Sequence, residues 1–182
     1  MGNSSARLLL IGLDNAGKST ILARIIDPDF SANGITPTIG FKKDTFSRCG
    51  VDFEVLDMSG ESKYRDLWQT NAVGNEDNER IEGIIFVVDS SDRMRLRVAR
   101  SELDMILENR TISHEIPFLF YANKSDVKGA CPLEEVQELM ELKSLKREYQ
   151  IISCSGSTGK GVQEGIEWLC RAIALKMESR QK

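Results

Sequence analysis

Residues 7–26 read Arg-Leu-Leu-Leu-Ile-Gly-Leu-Asp-Asn-Ala-Gly-Lys-Ser-Thr-Ile-Leu-Ala-Arg-Ile-Ile. The stretch opens as an apolar run, Arg7–Leu13, suited to a buried strand, and continues over Lys18–Ile26 with apolar residues at helical spacing. Between them lies Gly12-Leu-Asp-Asn-Ala-Gly17-Lys18-Ser19, a match to G-x-x-x-x-G-K-[ST] in the strand–turn–helix context that this motif requires. Gly12 and Gly17 let the backbone turn tightly. Successive N–H groups over Asp14, Asn15, Ala16, Gly17, Lys18, Ser19 and Thr20 then converge on an anion at a helix N-terminus. The Lys18 ammonium can reach β- and γ-phosphates, and the Ser19 hydroxyl can ligate Mg²⁺.

Outward from this cradle, apolar runs alternate with helical patterns. Phe41–Arg48 and Val51–Asp57 pair as a hairpin across Cys49-Gly50. Ile84–Asp89, Pro117–Ala122 and Tyr149–Cys154 read as strands, and the continuous apolar run at Ile84–Asp89 fits one covered on both faces. Met94–Asn109, Leu133–Leu142 and Val162–Met177 carry helical periodicity. Such alternation predicts an α/β fold with a mostly parallel sheet and helices on both faces. Ligands in such sheets bind at the carboxyl ends of the strands, which is where the motifs fall.

Composition narrows the function. The chain has 182 residues, the size of one domain, and 24 Lys plus Arg against 28 Asp plus Glu leave a net charge of −4. That excludes bulk phosphate neutralisation of nucleic acid as the main task. Four scattered cysteines without a C-x-x-C pair, and one histidine, argue against a zinc site and for a reduced intracellular setting. No stretch is long enough to span a membrane, and no signal peptide is visible.

Further motifs follow the later strands. Asp57-Met-Ser-Gly60 places an acid where it can hold Mg²⁺ through water and a glycine N–H where it can meet a γ-phosphate. Asn123-Lys124-Ser-Asp126 follows the strand Pro117–Ala122. The Asp126 carboxylate can accept from both the ring N–H and the exocyclic amine of guanine, a donor pair that adenine lacks. Asn123 can tie this loop to the phosphate loop, and the Lys124 stem can cover the base. Thr38, in Thr36-Pro-Thr38-Ile-Gly40, can complete a Mg²⁺ shell, and the backbone N–H groups of Cys154 and Ser155 can meet a base carbonyl. His114 reads as a loop residue, Trp168 as core, and Arg93, Arg95, Arg97 and Arg100 as a solvated helix face.

These five elements, in this order, resemble a Ras-type small GTPase over nearly the whole chain. Leu13-Asp14-Asn15-Ala16, Pro37-Thr38-Ile39-Gly40-Phe41 and Tyr64-Arg65-Asp66-Leu67-Trp68 are similar to the Arf and Arf-like branch. Asp57-Met58-Ser59-Gly60, Asp89-Ser-Ser-Asp-Arg93, Val98-Ala99 with Glu102-Leu103-Asp104, and Gln163-Glu164-Gly165 resemble its Bardet–Biedl-linked members, which recruit the BBSome coat to membranes at the cilium. The resemblance implies a three-layer fold with a six-stranded sheet, one edge strand antiparallel, spanning 7–178. It implies bound GTP or GDP with Mg²⁺ held by Ser19, Thr38 and, through water, Asp57. Thr38 becomes the switch I threonine, Gly60–Trp68 switch II, and Phe41–Asp57 an interswitch that shifts register between GDP and GTP forms. Lys18, Gly60 and Glu61 take the catalytic positions of a slow GTPase. Phe41 and Trp68 fall among effector contacts. The resemblance further implies a monomer served by an exchange factor and an activating protein, cytoplasmic, with GTP-dependent association at membranes near the base of a cilium or flagellum.

Four departures qualify it. Glu61 stands where the family has Gln, which leaves open a GTP-held scaffold that scarcely hydrolyses. Only Met1–Ala6 precede the first run, where the branch has an amphipathic helix, so residues 1–6 read as disordered or added; Ala6 also breaks the M-G-x-x-x-[ST] acylation pattern. Gly74-Asn-Glu-Asp-Asn-Glu79 is an acidic insertion. Cys154-Ser155-Gly156 replaces the usual C-A-T and leaves Ser155 as the backbone donor. A P-loop kinase or ATPase shares the first motif but has no use for Asp126.

Overall fold

The computed structural model describes residues 4–31, 34–73, 80–110 and 112–180. Six strands, β1 (Ser4–Ile11), β2 (Phe41–Arg48), β3 (Val51–Met58), β4 (Ile81–Asp89), β5 (Phe118–Asn123) and β6 (Tyr149–Ser153), form one sheet in the order β2-β3-β1-β4-β5-β6. Only β2 is antiparallel, in register from Phe41 opposite Met58 to Arg48 opposite Val51. The other pairings are parallel. The helices are α1 (Lys18–Ile26), α2 (Asp66–Val73), α3 (Arg93–Glu108), α4 (Leu133–Leu139) and α5 (Val162–Arg180).

The pleat explains why the first run is apolar throughout. Successive strand side chains point to opposite faces. Leu9 and Ile11 therefore join Leu56, Phe86 and Val88 beneath α2, α3 and α4, while Leu8 and Leu10 join Val55, Ile85 and Val87 beneath α1 and α5. Both faces are covered, as a parallel sheet requires. α5 sits close on β5: a Cβ at Gly165 would come 2.6 Å from the Tyr121 ring, and the Tyr121 hydroxyl donates to Val162 O at 2.5 Å.

Several boundaries differ from expectation. β1 takes in Ser4–Ala6, read from sequence as disordered, because these residues pair with Val51–Phe53. α5 runs to Arg180. α4 stops at Leu139, and Glu141, with φ 50°, turns the chain into a 3₁₀ turn over Leu142–Ser144. α2 and the preceding 3₁₀ turn, Ser62–Tyr64, carry too little apolar periodicity to be read from sequence. Trp168 is half-buried against the second cluster, and His114 is exposed in a loop. The acidic insertion at 74–79 lies outside the described residues.

Candidate functional site

The phosphate loop spans the gap from β1 to α1. Gly17 has φ 94°, and a Cβ on it would come 2.3 Å from Asn123 Nδ2, so only glycine fits. Asn123 uses that amide to donate to Ala16 O at 2.7 Å, which ties the β5 loop to the phosphate loop. Lys18 is buried, and its Nζ donates to Leu13 O at 3.0 Å. Burial pushes its pKa down to about 8, against the pull of Asp57 and Asp14. Asp14, Asn15, Gly17, Lys18, Ser19 and Thr20 face Thr38, Gly60 and Glu61 across a cleft of about 570 Å³.

Three oxygen-bearing side chains converge at one end of this cleft. Ser19 Oγ donates to Asp57 Oδ2 at 2.6 Å, and Thr38 Oγ1 lies 3.0 Å from Ser19 Oγ and 3.4 Å from Asp57 Oδ2. Asp57 Oδ1 is buried with no hydrogen-bond partner, and burial raises this carboxyl's pKa. An orphaned buried carboxylate oxygen beside two hydroxyls is a set of hard ligands, and it fits Mg²⁺ completed by water and phosphate oxygens. Among the described residues no cluster of three His, Cys, Asp or Glu could hold a metal unaided.

Gly60 rests directly on the phosphate loop: a Cβ there would lie 2.1 Å from Asp14 N and 2.2 Å from Leu13 C. Arg65 holds it in place, with Nε donating to Gly60 O at 3.0 Å, Nη1 to Glu102 at 2.8 Å and Nη2 to Asp14 at 3.4 Å. From α3, Arg95 Nη2 donates to both the carbonyl and the carboxylate of Asp14, at 2.9 and 2.7 Å, and its hydrogen bond lowers that carboxyl's pKa. Arg95 is aimed there by the N-cap of α3, where the Asp92 carboxylate accepts from Met94 N and Arg95 N at 3.1 Å. The solvated arginine face expected on α3 holds for Arg97 and for Arg93, both exposed, though Arg93 pairs with Glu135; it is corrected for Arg95, which grips the phosphate loop, and for Arg100, which pairs with Asp104 and Glu141. Glu61 pairs with Lys63 at 3.2 Å at the rim of the cleft. Trp68 is not on the surface. It is 1% exposed, meets Phe86 edge-on, and donates to Ser59 O at 2.9 Å. Phe41 is 47% exposed beside Ile26, Ile35 and Ile39.

The opposite end of the cradle is built from the β5 and β6 loops. Asp126 is exposed; hydrogen bonds from the Ser155 and Ser157 hydroxyls lower its pKa. Lys124, with φ 63°, ion-pairs with Asp89 at 2.6 Å. Gly156 N donates to Asn123 Oδ1 at 2.9 Å. The Ser155 N–H expected to face a base donates instead to Lys160 O at 3.0 Å, and Cys154 N donates to Ala122 O. Ser155 N–H turns inward because it closes the loop that leads into α5, and Cys154 N–H because it continues the pairing of β6 with β5. Burial pushes the Cys154 thiol up and leaves it unreactive.

The sequence profile of the ADP-ribosylation factor family matches residues 1–173. This chain belongs to the ADP-ribosylation factor family. The ADP-ribosylation factor-like protein 6 of Danio rerio is 38% identical over 164 residues, covering 89% of this chain and 85% of that protein. The Arl6 (BBS3) small GTPase of Trypanosoma brucei, solved with the nucleotide analogue GppNp, superposes with a TM-score of 0.82 at 37% identity, covering 94% of this chain and 98% of that one. The chain is therefore an Arl6-like small GTPase that binds guanine nucleotide.

Within this Arf-family frame the motifs mark the cleft, but Arg24, Arg65, Arg95 and Ser157 escape sequence inspection. Arg65 and Arg95 lie in stretches whose residues were legible, yet no local pattern announces a partner 51 or 81 residues away.

Proposed function

We propose that this GTPase is a membrane-trafficking switch whose GTP form recruits a coat or effector of the BBSome type at the base of a cilium or flagellum, and whose own hydrolysis is slow. The observation that carries the switch reading is the meeting of Thr38, Ser19 and Asp57 at one end of the cleft while Gly60 rests on the phosphate loop. A third phosphate would sit between them, so its loss would release both segments.

In this reading the backbone N–H groups from Asp14 to Thr20 wrap the phosphates, and Lys18 leaves Leu13 O to neutralise their charge. Ser19, Thr38 and, through water, Asp57 would hold Mg²⁺, which would supply positive charge against the phosphates. Gly60 N–H meets the γ-phosphate, Asp126 reads guanine, and Lys124 covers it. Glu61 positions the attacking water poorly: it retains an acceptor but lacks the amide donor of glutamine. The exposed apolar group Ile26, Ile35, Ile39 and Phe41, contiguous with Thr38, is the effector surface. No described helix is long and apolar enough to cross a membrane.

Quantifying effector capture by the GDP- and GppNp-loaded protein tests the switch; equal capture by both forms refutes it. The pairing of Glu61 with Lys63 supports a second reading, a GTP-held scaffold, because it turns the carboxylate toward an ammonium rather than a water. Single-turnover hydrolysis that stays undetectable with an activating protein present would favour the scaffold.

A further inference from the structure

We propose that Arg24, on α1, is the positioning residue for base recognition. This rests on the reading of Asp126 as the guanine-reading carboxylate. Arg24 lies one turn beyond Thr20, so both side chains face the loop between β6 and α5. Its guanidinium donates from all three nitrogens to backbone carbonyls: Nη1 to Pro28 O at 2.8 Å, Nε to Gly156 O at 3.2 Å, and Nη2 to Ser157 O at 2.7 Å. A basic residue near a helix C-terminus ordinarily satisfies its own helix's carbonyls. Here two of the three bonds reach residues more than 130 positions away.

Those same two residues bond two side chains of the base loop, Asn123 and Asp126, from the other side. Gly156 N donates to Asn123 Oδ1 at 2.9 Å, and Ser157 Oγ donates to Asp126 Oδ2 at 3.2 Å. Gly156 also packs on Thr20, where a Cβ would come 3.2 Å from Thr20 Cγ2. Gln163 Nε2 in turn donates to Arg24 O at 2.5 Å and anchors the end of α1 to α5. Asp126 is exposed, so its orientation depends on these hydroxyl partners rather than on packing. Arg24 holds the backbone that carries one of them. A lysine cannot replace it, because one ammonium on a flexible stem does not span three fixed carbonyls.

The test compares GDP with IDP, which lacks the 2-amino group that Asp126 would accept from, on the full chain and its Arg24→Ala and Arg24→Lys variants. Affinities and dissociation rates are read with ribose-labelled fluorescent nucleotides. In Arg24→Ala, GDP is expected to leave roughly tenfold faster, and the preference for GDP over IDP to fall about fivefold, the size of a weakened charge-assisted hydrogen bond. Arg24→Lys is expected to restore neither. Equal weakening of GDP and IDP would reduce Arg24 to a structural support and overturn the inference, as would no weakening. Should Arg24→Ala fail to fold, Arg24→Lys, which keeps stem and charge, carries the same comparison with the same outcomes. A wild-type chain with no preference for GDP over IDP would instead remove the base reading itself, and this inference with it.

Discussion

At Asp126 and Glu61, the proposed function turns on single atoms. Asp126 presents two acceptors, and Asp126→Asn turns one into a donor facing a donor of guanine. Charge-assisted bonds of this kind are worth about 1.5–3 kcal/mol each, so GDP affinity is expected to fall by one to several orders of magnitude, with preference moving toward xanthine nucleotides. Titration with labelled GDP and XDP checks this, and unchanged GDP binding would take Asp126 out of the base pocket. Glu61 differs from glutamine by one amide nitrogen and one charge, which Lys63 at 3.2 Å partly offsets. Glu61→Gln is expected to accelerate hydrolysis once an activating protein supplies an arginine, whose contribution in related chemistry is about 10³–10⁵. Single-turnover assays of both forms, with and without that protein, decide the matter. Wild type alone cleaving on the order of 1 s⁻¹, far above intrinsic rates of such switches, would make Glu61 an active catalytic group.

Among the elements, α2 departs most from what sequence inspection offers. Its one strong anchor, Trp68, belongs by resemblance to an effector surface, yet it is 1% exposed between Phe86 and Ser59 O. Trp68→Ala is therefore expected to destabilise the fold by about 3–5 kcal/mol rather than to weaken partner binding selectively. For a chain of this length that lowers Tm by roughly 6–20 °C. Thermal unfolding by circular dichroism measures it; a change under 2 °C, with effector capture lost, would return Trp68 to the surface. Element existence elsewhere was legible because it is local. The two-sided burial of β1 and β4 writes a continuous apolar run, and the phosphate loop writes its glycines. α2, Asp66–Val73, writes neither, since among Asp66–Ala72 only Trp68 and Ala72 are buried and most of the others are polar. The inward turn of Ser155 N–H is set by Lys160 O, a contact no spacing rule encodes.

Over the whole molecule, the question is how three separate elements come to respond to one phosphate. Motifs point to the cradle, to Asp57 as the proposed metal acid and to Asn123–Asp126 as the proposed base loop, each within a few residues of sequence. The coupling between them is tertiary: Arg65 joins Gly60 O, Glu102 on α3 and Asp14 in the phosphate loop, and Arg95 grips Asp14 from the other side. These bonds are present with Gly60 seated on the phosphate loop, the placement that, on the proposed reading, would bring its N–H to a γ-phosphate. On that reading, whatever stabilises the seating would favour GTP over GDP, and linkage would make the two effects equal in free energy. Arg65 and Glu102 are largely buried, at 16% and 18% side-chain exposure, so removing either alone strands a charge and weakens the fold generally. The double variant Arg65→Ala with Glu102→Ala avoids that stranded pair and isolates the coupling. Its GppNp affinity is expected to drop about 5–50-fold relative to GDP, the range of typical coupling free energies. Arg95→Ala, which loosens a loop used by both nucleotides, is expected to weaken the two alike. Competition titrations with GDP and GppNp measure both ratios. A double variant that keeps the wild-type ratio would show that the clamp holds the fold together without informing α3 which nucleotide is bound.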